Sequence, residues 1–332
     1  MYVGSWDGNV YAVSAKNGTL LWSYQTGGRV LSSPAVANGM VYVGSELRDK
    51  TYALSASTGA LLWIADWGGD DSTSPAVANG VVYVGDDTEW VHALDASTGA
   101  VLWGYDTLGL VHSSPAVANG AVYFGSNDGN VYALDASTGA LRWSYATGSA
   151  VESPPAVANG VVYVGSDNAN VYALNARTGA LVGSYTTGYW PVASSPAVAN
   201  GVLYVGSYDG NVYALDVSTG ALLWSHAIEE GRSSPAVANG VVYIGSDHGD
   251  VCALDASTGA LLWRHPTGGY VESSPAVANG MVYVGSYDGR IYAFGLPKGM
   301  EPQPPKRPDP KTLRPDFSLK VSQPGAANAG VD

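Results

Sequence analysis

An all-β fold, a β-propeller of four-stranded antiparallel blades, is predicted by three observations. A unit of forty or so residues recurs along the 332-residue chain. The glycine of its Y-V-G element falls at Gly4, Gly44, Gly85, Gly125, Gly165, Gly206, Gly245 and Gly285, in steps of 40, 41, 40, 40, 41, 39 and 40 residues. A fixed period of this size marks one supersecondary unit stacked on copies of itself. Each copy holds four short apolar segments with turn residues between them, and no apolar residue recurs at helical spacing. Charged residues are only 13% of the chain, against roughly 25% in ordinary domains; small, β-branched and aromatic side chains take their place.

The four segments of a copy read in order as four strands. Segment A is S-P-A-V-A and ends in Asn-Gly; segment B is V-V-Y-V-G, usually followed by Asp-Gly. Segment C is V-Y-A-L and runs into D-A-S-T-G; segment D is A-L-L-W. Asn-Gly and Asp-Gly are strong hairpin signals, because both central residues of a type I′ turn need positive φ. Four short strands joined by such turns, repeated every ~40 residues, make propeller blades. A solenoid is the competing architecture, but its strand repeats are shorter. The WD-repeat pattern is a poor match, since Trp6-Asp7 sits in a B–C turn rather than at a strand end. Segments B and C occur eight times, A and D seven times. Eight blades lacking one D and one A strand at the closure is the economical count, with seven blades as the alternative. On that count the chain is about twenty residues short at its start.

The C–D corner carries a resemblance. Ala93 to Trp103 reads A-L-D-A-S-T-G-A-L-L-W with Val101 in place of the first leucine, and close copies run from Ala133 to Trp143, Ala214 to Trp224 and Ala253 to Trp263. This pattern, A-x-D-x-x-x-G-x-x-x-W, resembles the tryptophan-docking motif of the PQQ-like (quinoprotein) repeat family, over roughly residues 1 to 295. The resemblance implies a propeller, usually of eight blades. It leaves the activity open, because the family includes dehydrogenases, assembly lipoproteins and sensor domains of kinases.

The residues support a structural role for the motif by themselves. Its acidic position reads Ser14, Ser55, Asp95, Asp135, Asn175, Asp216 and Asp255. All are short side chains whose oxygen can accept from the backbone N–H groups of a turn. Trp22, Trp63, Trp103, Trp143, Trp224 and Trp263 occupy one equivalent place on strand D and are expected to pack between adjacent blades. The fifth copy has Gly183 there, so either a neighbour fills the gap or that contact is weaker.

Beyond the propeller, residues 296–332 form a tail rich in proline, lysine and arginine. It is expected to be mostly disordered, with an alternating stretch over 317–321 as a candidate strand to complete the last blade. The net charge of −13 argues against nucleic acid. No apolar run reaches the ~18 residues of a membrane span. The single cysteine, Cys252, rules out an internal disulfide and stands at the tyrosine position of V-Y-A-L.

Function is expected where the copies differ. The A–B and C–D turns barely change, so nearly all variation falls on the B–C and D–A connections, which share the other face. Trp6, Trp67, Trp90, Trp190, Tyr189, Tyr208, Tyr270 and Tyr287 lie there, and aromatic loop residues on a rigid scaffold suit a binding surface. A second series, three residues before the strand-A proline, reads Leu31, Ser72, His112, Glu152, Ala193, Arg232 and Glu272. It is expected near the mouth of the central channel, where His112, Glu152, Arg232 and Glu272 suit a small polar or ionic ligand. Asp70, Asp71, Asp86, Asp87 and Glu89 make that rim acidic, without a D-x-D-x-D-G calcium loop.

The expected role is a non-catalytic scaffold that binds another protein or a small polar ligand, as a monomer, with no catalytic residue, metal or cofactor. The resemblance places it outside the cytoplasm, at the cell envelope or secreted. It also supplies two alternatives. One is a dehydrogenase using PQQ and calcium beside an aspartate base, for which the usual vicinal cysteine pair and long insertions are missing. The other is a sensor domain separated from a Ser/Thr kinase.

Overall fold

The computed structural model describes residues 1–46, 50–66, 73–229 and 231–295. The protein is an eight-bladed β-propeller. Among the described residues every repeat is one antiparallel sheet: six have four strands in the order A-B-C-D, the first has B-C-D and the last A-B-C. That is the count the repeats required: among the described residues there is one A and one D strand fewer than in eight full blades. No helix among the described residues is long and apolar enough to cross a membrane. The tail, the strand expected over 317–321, Trp67, Asp70, Asp71 and Ser72 all lie outside the described residues.

The chain divides into two compact units, Met1–Val157 with Val164–Asn168, and Ala158–Tyr163 with the residues from Ala169 on. The first contains blades 1 to 4 and the second contains blades 6 to 8. The division crosses strands A and B of blade 5, Ala156–Ala158 and Val161–Gly165, and the turn after them.

Asn-Gly closes the A–B hairpins as expected: Asn79 has φ 52° and Gly80 φ 79°, and the other copies match. The Asp-Gly hairpins are built differently. Only the glycine has positive φ, as at Gly129 (87°). Its N–H donates to the Ser126 carbonyl at 3.1 Å, and Ser126 N–H donates to the Asn130 carbonyl at 3.0 Å. This is a three-residue loop closing on a glycine bulge, not a type I′ turn. The aspartate is free of the left-handed region and serves as an acceptor instead. Asp128 takes the Asn130 N–H at 2.8 Å on one oxygen and the Tyr132 hydroxyl on the other.

At the C–D corner the aspartate organises the turn. Asp95 Oδ1 accepts from the N–H groups of Ser97 and Thr98, at 3.0 and 2.9 Å, and from both hydroxyls. Asp135, Asp216 and Asp255 repeat the pattern, and Asn175 accepts the equivalent backbone bonds with its amide oxygen. After the corner, each C–D ladder slips by one residue, so that Trp103 faces Ala93 while Leu94 faces Val101.

The core lies between sheets. Tyr42 and Trp63 of blade 2 pack with Val82, Val84, Leu94 and Ala96 of blade 3, and the same arrangement recurs at other junctions. Trp103 shows the geometry. Its Nε1–H donates to the Ala136 carbonyl of the next blade at 3.1 Å. Its ring lies on Gly139, where an added Cβ would come within 2.8 Å of it. Tyr83 of its own blade packs against it at 5.8 Å and sends its hydroxyl to the same Ala136 carbonyl at 3.0 Å. Trp22, Trp63 and Trp224 make the equivalent bonds, to Ala56, Ala96 and Ala256. Trp143 is 7% exposed beside Tyr123, and Trp263 packs on Phe294 of blade 8 at 4.9 Å.

The fixed glycine of Y-V-G answers a different demand. A Cβ at Gly85 would fall 2.5 Å from a Val111 methyl, so only glycine lets the D–A connection close over strand B.

Candidate functional site

In five copies the B–C and D–A connections are tied together by the threonine that follows strand D: Thr26, Thr107, Thr147, Thr187 and Thr267. Thr107 N–H and hydroxyl both meet the Glu89 carbonyl at 2.8 Å, and the hydroxyl also lies 2.6 Å from the Gly109 carbonyl. Thr26, Thr147 and Thr267 repeat the hydroxyl arrangement. The loops therefore present their side chains from a fixed backbone.

In the first unit, three groups stand on these loops. Trp6, 51% exposed, carries the Arg29 guanidinium 4.6 Å above its ring, and Arg29 lies 3.8 Å from Glu46. His112 Nδ1 is 3.6 Å from Glu152 Oε1, which also accepts from Asn127 at 3.5 Å. Burial and the nearby Glu152 charge raise the Asp167 carboxyl above its usual range, so Asp167 holds a proton more readily than a free carboxylate does.

The third group was not legible in the sequence. Asp86, expected on an acidic rim, is fully buried. It accepts the N–H groups of Thr88 and Trp90 at 2.9 Å each and meets His92 Nε2 at 2.7 Å. Trp90 stacks on the His92 ring at 6.1 Å. Burial opposes ionisation of Asp86, but His92 and the Trp90 N–H outweigh it, and its carboxyl ends below the usual value. The signal was a paired change: Asp86 stands where sibling copies have serine, and His92 where all but one, with Cys252, have tyrosine. This B–C loop keeps the length of its siblings but has Glu89 at φ 74° where most of them have glycine, and Asp86 bonds to the backbone on either side of it, so Asp86 is a loop support.

In the second unit, Tyr189 and Trp190 project from the D–A connection after blade 5, 98% and 60% exposed. Arg232 lies 5.8 Å from the Tyr208 ring centre. Tyr270 and Tyr287 meet edge to face at 6.1 Å, and the Tyr287 hydroxyl donates to Glu272 Oε2 at 2.6 Å. Burial and the bond to Glu272 push the Tyr287 hydroxyl well above the usual phenol range; it remains a donor at any physiological pH. The structure thus joins the aromatic series to the polar one, since Arg232 and Glu272 belong to the second set and Tyr208, Tyr270 and Tyr287 to the first. Cys252 is apart from all of this, 1% exposed in the core between blades 6 and 7.

A family model described as outer membrane protein assembly factor BamB matches residues 1–73, 47–153, 128–234 and 212–300. The chain belongs to this PQQ-like repeat family. Solved structures show the same fold. BamB from Moraxella catarrhalis superposes with a TM-score of 0.78 at 22% identity, covering 89% of this chain and 93% of that one. The computationally designed Ika8 protein gives 0.79 at 20% identity, over 89% and 92%. Quinohemoprotein alcohol dehydrogenase from Comamonas testosteroni gives 0.72 at 17% identity, over 86% of this chain and 68% of that one. A curated relative, the Beta-alanine-activating enzyme of Danio rerio, is 51% identical over 39 residues. That stretch is 12% of this chain and 3% of the relative, so the chain spans a small fraction of that protein. Its length is about that of one repeat.

Within this PQQ-like family member, the corner aspartates and strand-D tryptophans belong to the blade framework. The exposed aromatic, guanidinium and carboxylate groups of the B–C and D–A loops are the chemically distinctive surface.

Proposed function

We propose that this PQQ-like propeller is a non-catalytic scaffold that binds a protein partner at the cell envelope through its B–C/D–A loops. The observation that carries the reading is exposure. Trp6, Trp90, Tyr189, Trp190, Tyr270 and Tyr287 are between 38% and 98% exposed on loops held by hydrogen bonds, while Trp22, Trp63, Trp143 and Trp224 are 7–9% exposed. Rigid aromatics beside arginine are the groups that dominate protein interfaces. The family model's description as an outer membrane assembly factor supports the envelope location.

The fold is shared with quinohemoprotein dehydrogenases, which keeps an enzymatic reading in view. Three observations weigh against a PQQ–calcium pair. Cys252 is single and buried, Asp86 is enclosed by its own loop, and Glu272 already accepts from Tyr287. Two experiments decide. In surface crosslinking from envelope fractions, a partner captured by the wild type is lost on changing Tyr189 and Trp190 together to alanine; undiminished capture refutes the face. Reconstitution with PQQ and calcium gives no dye-linked alcohol oxidation; dye reduction requiring both additions refutes the scaffold.

A further inference from the structure

Away from the aromatic face, blade 5 lacks the side chain that its siblings send into the next blade. We propose that the space left at Gly183 is a binding site for a small, neutral, planar aromatic bearing one ring N–H, of the indole class. The argument comes from the other junctions of this same chain. Trp22, Trp63, Trp103 and Trp224 are each received by three features. A tyrosine of the same blade lies 5.6–5.9 Å away. A corner glycine of the next blade has room for the ring and not for a Cβ. A backbone carbonyl takes the indole N–H at 3.0–3.1 Å.

At blade 5 the receiving features remain and the indole does not. Tyr163, Gly183, Val217 and Gly220 line a cavity of about 60 Å³ that is open on one side. Gly220 has φ 70°, as its sibling glycines do. Among the described residues nothing donates a hydrogen bond to the Val217 carbonyl, the counterpart of the Ala56, Ala96, Ala136 and Ala256 carbonyls. The sequence has compensated in part. Leu203 stands where siblings have valine, and Val217 where they have alanine; both line the cavity and narrow it. A closed apolar cavity of about 150 Å³ takes benzene. This one is smaller but open to solvent, so a ring seated in it would lie partly outside the cavity.

The chemistry of the lining sets the ligand class. A slot between a tyrosine ring and a glycine selects a flat molecule. The Val217 carbonyl selects an N–H donor. The one ionisable side chain in the lining besides tyrosine, Asp216, is committed to the Ser218 and Thr219 corner, so no counter-charge is offered and a neutral ligand is favoured.

Titration calorimetry on the full chain tests this with indole and with indene, which has the same shape and no N–H. The wild type is expected to bind indole saturably at one site, and indene about fivefold more weakly for one lost hydrogen bond. Gly183→Trp is expected to abolish indole binding. The pair Leu203→Val and Val217→Ala is expected to tighten it several-fold. Absence of saturable binding, equal affinity for indole and indene, or wild-type binding by Gly183→Trp overturns the proposal. Should Gly183→Trp fail to fold, the paired variant decides: unchanged or weakened affinity is contrary to it. A dimer in sedimentation that indole dissociates would identify a side chain of a second copy as the occupant, and would also overturn it.

Discussion

The junction of blades 3 and 4 and the junction of blades 5 and 6 are built from the same forty-residue sentence, yet only the first is fastened. At the first, one carbonyl, that of Ala136, receives both the Trp103 indole and the Tyr83 hydroxyl, and the indole covers Gly139. At the second, Gly183 sends nothing across, and the larger Leu203 and Val217 fill part of the gap from the other side. A second fastening thins out nearby. Ser33 and Ser74 each take a bond from N–H to the hydroxyl of the following blade's serine, Ser74 and Ser114. In blade 5 that position is Pro154, which has no N–H to give. The contrast shows that repeat proteins can lose a junction's specific contacts while each blade keeps its own ladder of hydrogen bonds.

The largest expected effect comes from making the strong junction resemble the weak one. Trp103→Ala removes the ring and its bond, and a loss of about 3–5 kcal/mol follows from cavity creation of this size; calorimetric unfolding measures it as a drop in Tm. A smaller and more selective effect comes from the tyrosines. Tyr83→Phe removes one of two donors to the Ala136 carbonyl and is expected to cost about 1 kcal/mol. Tyr163→Phe, which removes no bond to the Val217 carbonyl, is expected to leave Tm within error of wild type. Equal losses would mean that the two junctions are fastened alike.

The smallest expected effect is a pH dependence at the corners. Arg142, then Ser137, holds the Asp135 carboxyl well below its unfolded value of 3.8. Its folded value is depressed, so its stabilisation is present above about pH 4 and is lost as pH falls toward the folded value. The matching residue of blade 5 is Asn175, which does not titrate. Asp135→Asn is therefore expected to flatten the fall of Tm between pH 5 and 2, and Asn175→Asp to steepen it. An Asp135→Asn variant with the wild-type acid slope would exclude this corner as its source.

Much of the fold was legible because it rests on local chemistry repeated in copy after copy. Asn-Gly at the A–B turns, the corner aspartates and the strand-D tryptophans each state one demand, and the copies state it together. Other features were hidden because they join residues far apart in sequence. The carbonyl after the corner aspartate receives two donors from the preceding blade, and no local pattern shows that the tyrosine of V-Y-V-G is one of them. The same applies to Gly85, whose role depends on Val111. At the candidate face, exposure of Tyr189 and Trp190 followed from their place in a variable loop. Burial of Asp86 did not, because its meaning depends on His92 replacing a tyrosine. The joining of Arg232 to Tyr208 and of Glu272 to Tyr287 likewise needed the loops to be folded first.

Hydrogen exchange at two matching corners tests the central claim most directly. The Ala136–Ala140 and Val217–Ala221 corners have the same internal bonds, Gly139 N–H to the Asp135 carbonyl and Gly220 N–H to the Asp216 carbonyl, each at 2.8–2.9 Å. They differ in what docks on them from the blade before. If the missing tryptophan loosens its junction, amides of 217–221 exchange faster than those of 136–140. Equal protection at the two corners would contradict the account.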